Sequence, residues 1–191
     1  IYVVPGGAGT QSGASWPNAR DLAAALTAAS SGNELWVKAG TYKPTTTSDR
    51  TATFTLKTGV ALYGGFAGIE TQRSERNWQT NVTILSGDIG AANNTSDNSY
   101  HVVVGNGVDG TAVLDGFSIT GGNANDSAQG PNSGGGMYNT NSSPTLSNLN
   151  FSGNYGAFGG GMNNTTSAPR LTGVVFSGNS ASDGGGMYNY I

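Results

Sequence analysis

The residues that could do chemistry in this chain are few and scattered. One histidine, His101, accompanies 11 carboxylates, a total of 8 lysines and arginines, and no cysteine. A lone imidazole cannot build a multi-histidine site, and without cysteine there is no disulfide, thiolate zinc centre or thiol nucleophile. Asp88, Asp97, Asp109, Asp115, Asp126 and Asp183 stand singly in or beside turn-forming segments, and no Asp-Asp pair occurs. Glycoside hydrolysis needs two converging carboxylates, so no catalytic set is assigned. His101, beside Tyr100, reads as a partly exposed structural residue, and Asp115 as a structural turn carboxylate. Gly64-Gly65 and the glycine triplets precede neither a Lys-Ser/Thr step nor a helix, so they are not phosphate loops. No cofactor is expected. Ca²⁺ at a turn is the one ion left open, although Gly-Gly-x-Gly-x-Asp repeats are absent.

The strongest pattern is structural. The three methionines, Met137, Met162 and Met187, are spaced 25 residues apart. Each follows three glycines and precedes an asparagine at a fixed offset: Asn139, Asn164 and Asn189. A second block, from Ser143-Pro144-Thr145-Leu146 to Phe151-Ser152-Gly153-Asn154, recurs 25 residues on, ending at Asn179. A looser copy, Leu114 to Asn123, lies 32 residues before its successor, the added length falling in the polar stretch from Asn125 to Ser133. Periods of this length mean stacked repeats. Gly, Pro, Asn and Ser interrupt the apolar residues of each unit too often for a helix of several turns. The unit is therefore read as a coil of short strands and turns, and the chain as an all-β, right-handed parallel β-helix. On that reading the methionines fill the core one above another. The columns Asn139/Asn164/Asn189 and Asn154/Asn179 form amide ladders.

Upstream, Leu35-Trp36-Val37, Phe54-Thr55-Leu56, Val60-Ala61-Leu62-Tyr63, Val82 to Leu85 and His101 to Val104 continue the grammar less exactly. From Leu35 onward, roughly 25 residues per coil gives about six coils. Residues 1–33 read as a capping segment with a helix over 19–29, N-capped by Asn18 through the Asp21 amide and stopped near Gly32. Residues 34–191 read as the β-helix, which is expected to continue beyond Ile191 because a free strand edge there would invite pairing. Charged residues are only 10% of the chain and the formal net charge is −3, so there is no basic field for nucleic acid. No apolar run approaches the length of a membrane-spanning helix, so direct membrane insertion is not expected.

With these residues in view, the chain resembles exported bacterial β-helix proteins of the pectin-lyase-like superfamily with polymorphic-outer-membrane-protein-like repeats. The matching stretches include Ser15-Trp16-Pro17-Asn18-Ala19, Leu35 to Tyr42, Gly59 to Gly68, Arg76-Asn77-Trp78, Thr83 to Asp88, Leu114-Asp115-Gly116-Phe117 and the Gly-Gly-Gly-Met repeats. The resemblance implies a secreted or surface-anchored bacterial protein and implies no activity. The reading favours a non-catalytic structural or adhesive scaffold, part of a filament, sheath or matrix, over a polysaccharide-binding or polysaccharide-cleaving β-helix. The expected partners are the chain itself, other surface proteins or polysaccharide. Tyr42, Tyr63, Trp78, Tyr138 and Tyr188 are the aromatics that could stack on sugars. Asp126-Ser127-Ala128 resembles a sugar-attachment signal, although a solvated loop is the stronger reading.

Overall fold

Alternating apolar residues in short runs, each ended by glycine, asparagine or proline, give strands of two to six residues. A computed structural model describes residues 1–126 and 132–190. The Asn125 to Ser133 stretch is thus described only in part, and Ser127 and Ala128 of the candidate attachment signal lie outside the described residues. Strand β1 (Tyr2–Val3) leads to helix α1 (Leu22–Ala28). The first full coil is β2 (Glu34–Lys38), β3 (Gly40–Tyr42) and β4 (Phe54–Thr55), and the second is β5 (Ala61–Phe66), β6 (Thr83–Ser86) and β7 (Val103–Asn106). The third is β8 (Val113–Asp115), β9 (Ser118–Thr120), β10 (Asn123–Ala124) and β11 (Met137–Thr140). The fourth is β12 (Thr145–Ser147), β13 (Asn150–Ser152), β14 (Tyr155–Gly156) and β15 (Met162–Thr165). The fifth is β16 (Arg170–Thr172), β17 (Val175–Ser177) and β18 (Met187–Tyr190).

Three parallel sheets run along the stack. Their orders are β1-β2-β5-β8-β12-β16, β3-β6-β9-β13-β17 and β4-β7-β11-β15-β18, with β10-β14 as a small fourth pair. The architecture is the expected right-handed parallel β-helix, with six rungs in the first sheet and five in the second and third. Register places like over like. Leu35, Leu62, Leu114, Leu146 and Leu171 form one interior column of the first sheet. Tyr42, Leu85, Ile119, Phe151 and Phe176 form that of the second, where the last two rings stack with centroids 5.0 Å apart. In the last three coils the corner between these sheets turns on a single left-handed residue, Gly116, Asn148 and Gly173 in turn, the types that adopt that conformation at least cost.

The N-terminal helix differs from expectation. It begins at Leu22, and its N-cap is Asp21, whose Oδ1 accepts from the Ala23 N–H at 2.9 Å. Asn18 instead lies in a 3-10 turn, Trp16–Asn18, and its Oδ1 accepts from the Thr10 N–H. The reason is tertiary: Arg20 pairs with Val3 in a parallel bridge, which keeps residues 19–20 extended. Leu22, Ala25 and Leu26 enter the common core, and α1 packs on β4, the edge strand of the third sheet.

Candidate functional site

The interior columns come first, because the repeat predicts them. Met137, Met162 and Met187 are register partners on consecutive rungs of the third sheet. The first two are fully buried, whereas Met187 on the last rung is 39% exposed. Two residues along, Asn139 Nδ2 donates to Asn164 Oδ1 at 2.9 Å, and Asn164 Nδ2 donates to Asn189 Oδ1 at 2.8 Å. The ladder ends upstream at Gly105, which has no side-chain amide to offer, and Asn139 Oδ1 is buried without a partner. In the second ladder, Asn154 Nδ2 donates to Asn179 Oδ1 at 3.0 Å and to the Ile119 carbonyl at 2.9 Å. Asn154 Oδ1 accepts from the Gly122 N–H, so this column clamps the backbone of adjacent turns together.

The titratable groups are engaged in local structure. Asp88 faces Lys43 at 3.9 Å, Asp97 accepts from the Ala91 N–H, and Asp109 accepts from the Thr111 N–H. Asp115 forms a largely buried ion pair with Arg76 at 2.9 Å and accepts from Asn148 Nδ2. Among the described residues, no three His, Asp or Glu side chains converge as metal ligands would. His101 Nδ1 donates to the Gly134 carbonyl at 3.1 Å and the ring stacks on Tyr138. Burial pulls its pKa below the ordinary histidine range, against the smaller opposite effect of its backbone hydrogen bonds, and favours the neutral ring.

Of the aromatics, Tyr42 points into the core, and its hydroxyl pKa is pushed up first by burial and then by the Asp21 charge. Tyr63 lies under the Arg73 and Arg76 guanidinium groups, Tyr138 stacks on His101, and Tyr188 packs against Phe158. Trp78, 37% exposed, stands at the mouth of an external groove of about 550 Å³. The groove follows the corner between the first and second sheets over four levels: Ser118, Asn150 and Val175 face it from one outward column, and the buried Thr83 lines it at the level of β6.

Its outer wall is the insertion from residue 67 to residue 82, between β5 and β6. That insertion is held at several points. Glu70 accepts from the N–H groups of Ala67, Gly68 and Ile69 at 2.6, 2.9 and 3.0 Å. Burial alone would raise its pKa, but these donors outweigh burial and hold it below the ordinary glutamate value. Arg76 donates to the Gly64 and Asp115 carbonyls at 2.9 and 3.2 Å, and Asn77 N–H donates to the Gly65 carbonyl at 2.8 Å. Trp78 is therefore presented by a fixed loop. Sequence reasoning named Trp78 but missed Gln79, Ser118 and Asn150, which reach the same groove from three separate segments. The detectable signal was that Ser118, Asn150 and Val175 occupy the same outward position after the corner in successive repeats.

No family model and no curated protein matches the chain. Among solved structures it is similar to the crystal structure of pectate lyase Pel9A, at 16% identity with a TM-score of 0.56. The match covers 96% of this chain and 50% of that one, so the chain spans about half the length of that enzyme. At this identity the likeness establishes the fold.

Proposed function

Taking the pectin-lyase-like right-handed parallel β-helix as premise, we propose that this chain is a non-catalytic structural or adhesive segment of an extracellular or cell-surface protein. The observation that supports this most is the unbroken register of like residues through consecutive coils. In such a stack each coil bonds only to its neighbours, so the molecule behaves as a stiff rod that lengthens by repetition. Its interior is given to leucine, phenylalanine, methionine and asparagine columns. The carboxylates Asp88, Asp97, Asp109 and Asp115 serve turns or neighbouring strands. The partners proposed for such a rod are further copies of itself, other surface proteins, or polysaccharide.

Immunogold electron microscopy of the native cells, with antibody raised against this chain, tests the reading. Gold is expected on the cell surface or on material around it, and label confined to the cytoplasm would overturn the proposal. The same protein incubated with acidic and neutral polysaccharides is expected to release neither unsaturated uronates nor new reducing ends. Turnover above that of boiled protein would overturn the non-catalytic part.

A further inference from the structure

The corner groove has a chemistry of its own. None of the residues lining it is ionisable, and the nearby Arg76–Asp115 pair is neutral as a unit. The exposed faces of Trp78 and Val82 supply apolar surface on the insertion side. On the floor and opposite wall stand hydroxyls and amides: Ser118, Asn150 and Ser177. Asn150 Oδ1 accepts from Ser177 Oγ at 3.5 Å, a weak bond. The Gln79 side-chain amide and the Ser118 hydroxyl make no protein hydrogen bond among the described residues. Four levels at about 4.8 Å each give the groove a length of about 15 Å along the rod.

The candidate occupants separate on these facts. An extended peptide would need a free strand edge facing the groove, but β6, β9 and β13 are each bonded on both sides, and the one open edge, that of β17, lies at the end of the stack rather than along the groove. A charged polymer, whether nucleic acid or a uronate chain, would need lysine or arginine in the groove to offset its desolvation. A neutral glycan asks for what is present: an indole face for its C–H surface, and amides and hydroxyls for its hydroxyl groups. We propose that this groove binds a neutral glycan, with Trp78 as the stacking platform and Gln79 and Ser118 as hydrogen-bonding groups. The binding site makes the rod adhesive along one flank. It stands independently of the scaffold reading, since loss of glycan binding would leave a rod, and catalytic turnover would not bear on this groove.

Tryptophan fluorescence tests the proposal on the whole chain, with cellohexaose, xylohexaose, mannohexaose, laminarihexaose and hexagalacturonate as probes. Trp16 and Trp36 are packed in a cluster with Tyr2 and Phe66, which makes Trp78 the reporter. At least one neutral hexamer is expected to saturate a change in emission, with hexagalacturonate weaker. Calorimetric titration of Trp78→Ala is expected to show affinity lowered by at least about tenfold. Gln79→Glu, at an exposed position, is expected to weaken binding with an unchanged melting temperature, which keeps the test valid should Trp78→Ala fold poorly. Failure of every neutral hexamer to bind, undiminished binding by both variants, or preference for hexagalacturonate would overturn it.

Discussion

Gly135→Ala is expected to lower stability by about 3–5 kcal/mol, because a single added methyl group there runs into backbone of an adjacent turn. A Cβ at this position would overlap the carbonyl oxygen of Tyr155, and it would also lie 3.0 Å from that of Gly122. Both neighbours are backbone atoms of adjacent turns, so no side chain can rotate away. Relief requires the levels to separate, which breaks bonds such as Val102 N–H to the Gly135 carbonyl and Gly136 N–H to the Gly160 carbonyl. Two control substitutions separate crowding from backbone strain. Gly110→Ala meets nothing closer than 3.7 Å and should fall within about 0.5 kcal/mol of the parent. Gly107→Ala has open space but a φ of +66°, so it should cost about 1–2 kcal/mol from conformation alone. Urea unfolding of the three variants supplies the comparison, and equal stability of Gly135→Ala and Gly110→Ala would show that the levels do not approach as described.

The second large effect lies in the amide ladder. Asn164→Ala removes the acceptor of Asn139 Nδ2 and the donor to Asn189 Oδ1 together. The consequences at the two ends differ. Asn189 is on the exposed last rung and can turn to water. Asn139 is fully buried, and its Oδ1 already has no partner, so the whole amide would be stranded in the core. The expected loss is about 1–3 kcal/mol, the cost of leaving buried polar groups unpaired. Asn189→Ala should cost less, because the Asn164 amide it releases lies one level from solvent. An unchanged melting curve for Asn164→Ala would contradict the ladder.

The legible part of this fold is the part that repeats. Met137, Met162 and Met187 align from spacing alone because the coils joining them are the same length, and equal length forces equal position on the rung. The same logic reached Leu146 over Leu171 and Phe151 over Phe176. Where length varies, the reading weakened. The helix start is ambiguous in the sequence because Asn18 and Asp21 are both competent caps, and a bridge from Arg20 to Val3 decides for Asp21. Tyr42 was a candidate for the surface, yet β3 turns it inward above Leu85, an orientation set by pairing and invisible in a three-residue strand. The groove was the least legible feature. Trp78 reaches it only because Arg76, Glu70 and Asn77 fold a non-repeating insertion against a corner built some 40 to 100 residues further on.

Everything rests on equivalent side chains occupying adjacent levels of one column, and selenium reports their positions directly. In crystals of selenomethionine-substituted protein, anomalous difference maps should place the sites of Met137, Met162 and Met187 on one line along the rod. Neighbouring peaks should lie about one strand spacing, roughly 5 Å, apart. Peaks on different faces of the molecule, or separated by several strand spacings, would contradict the stack and the functional readings built on it.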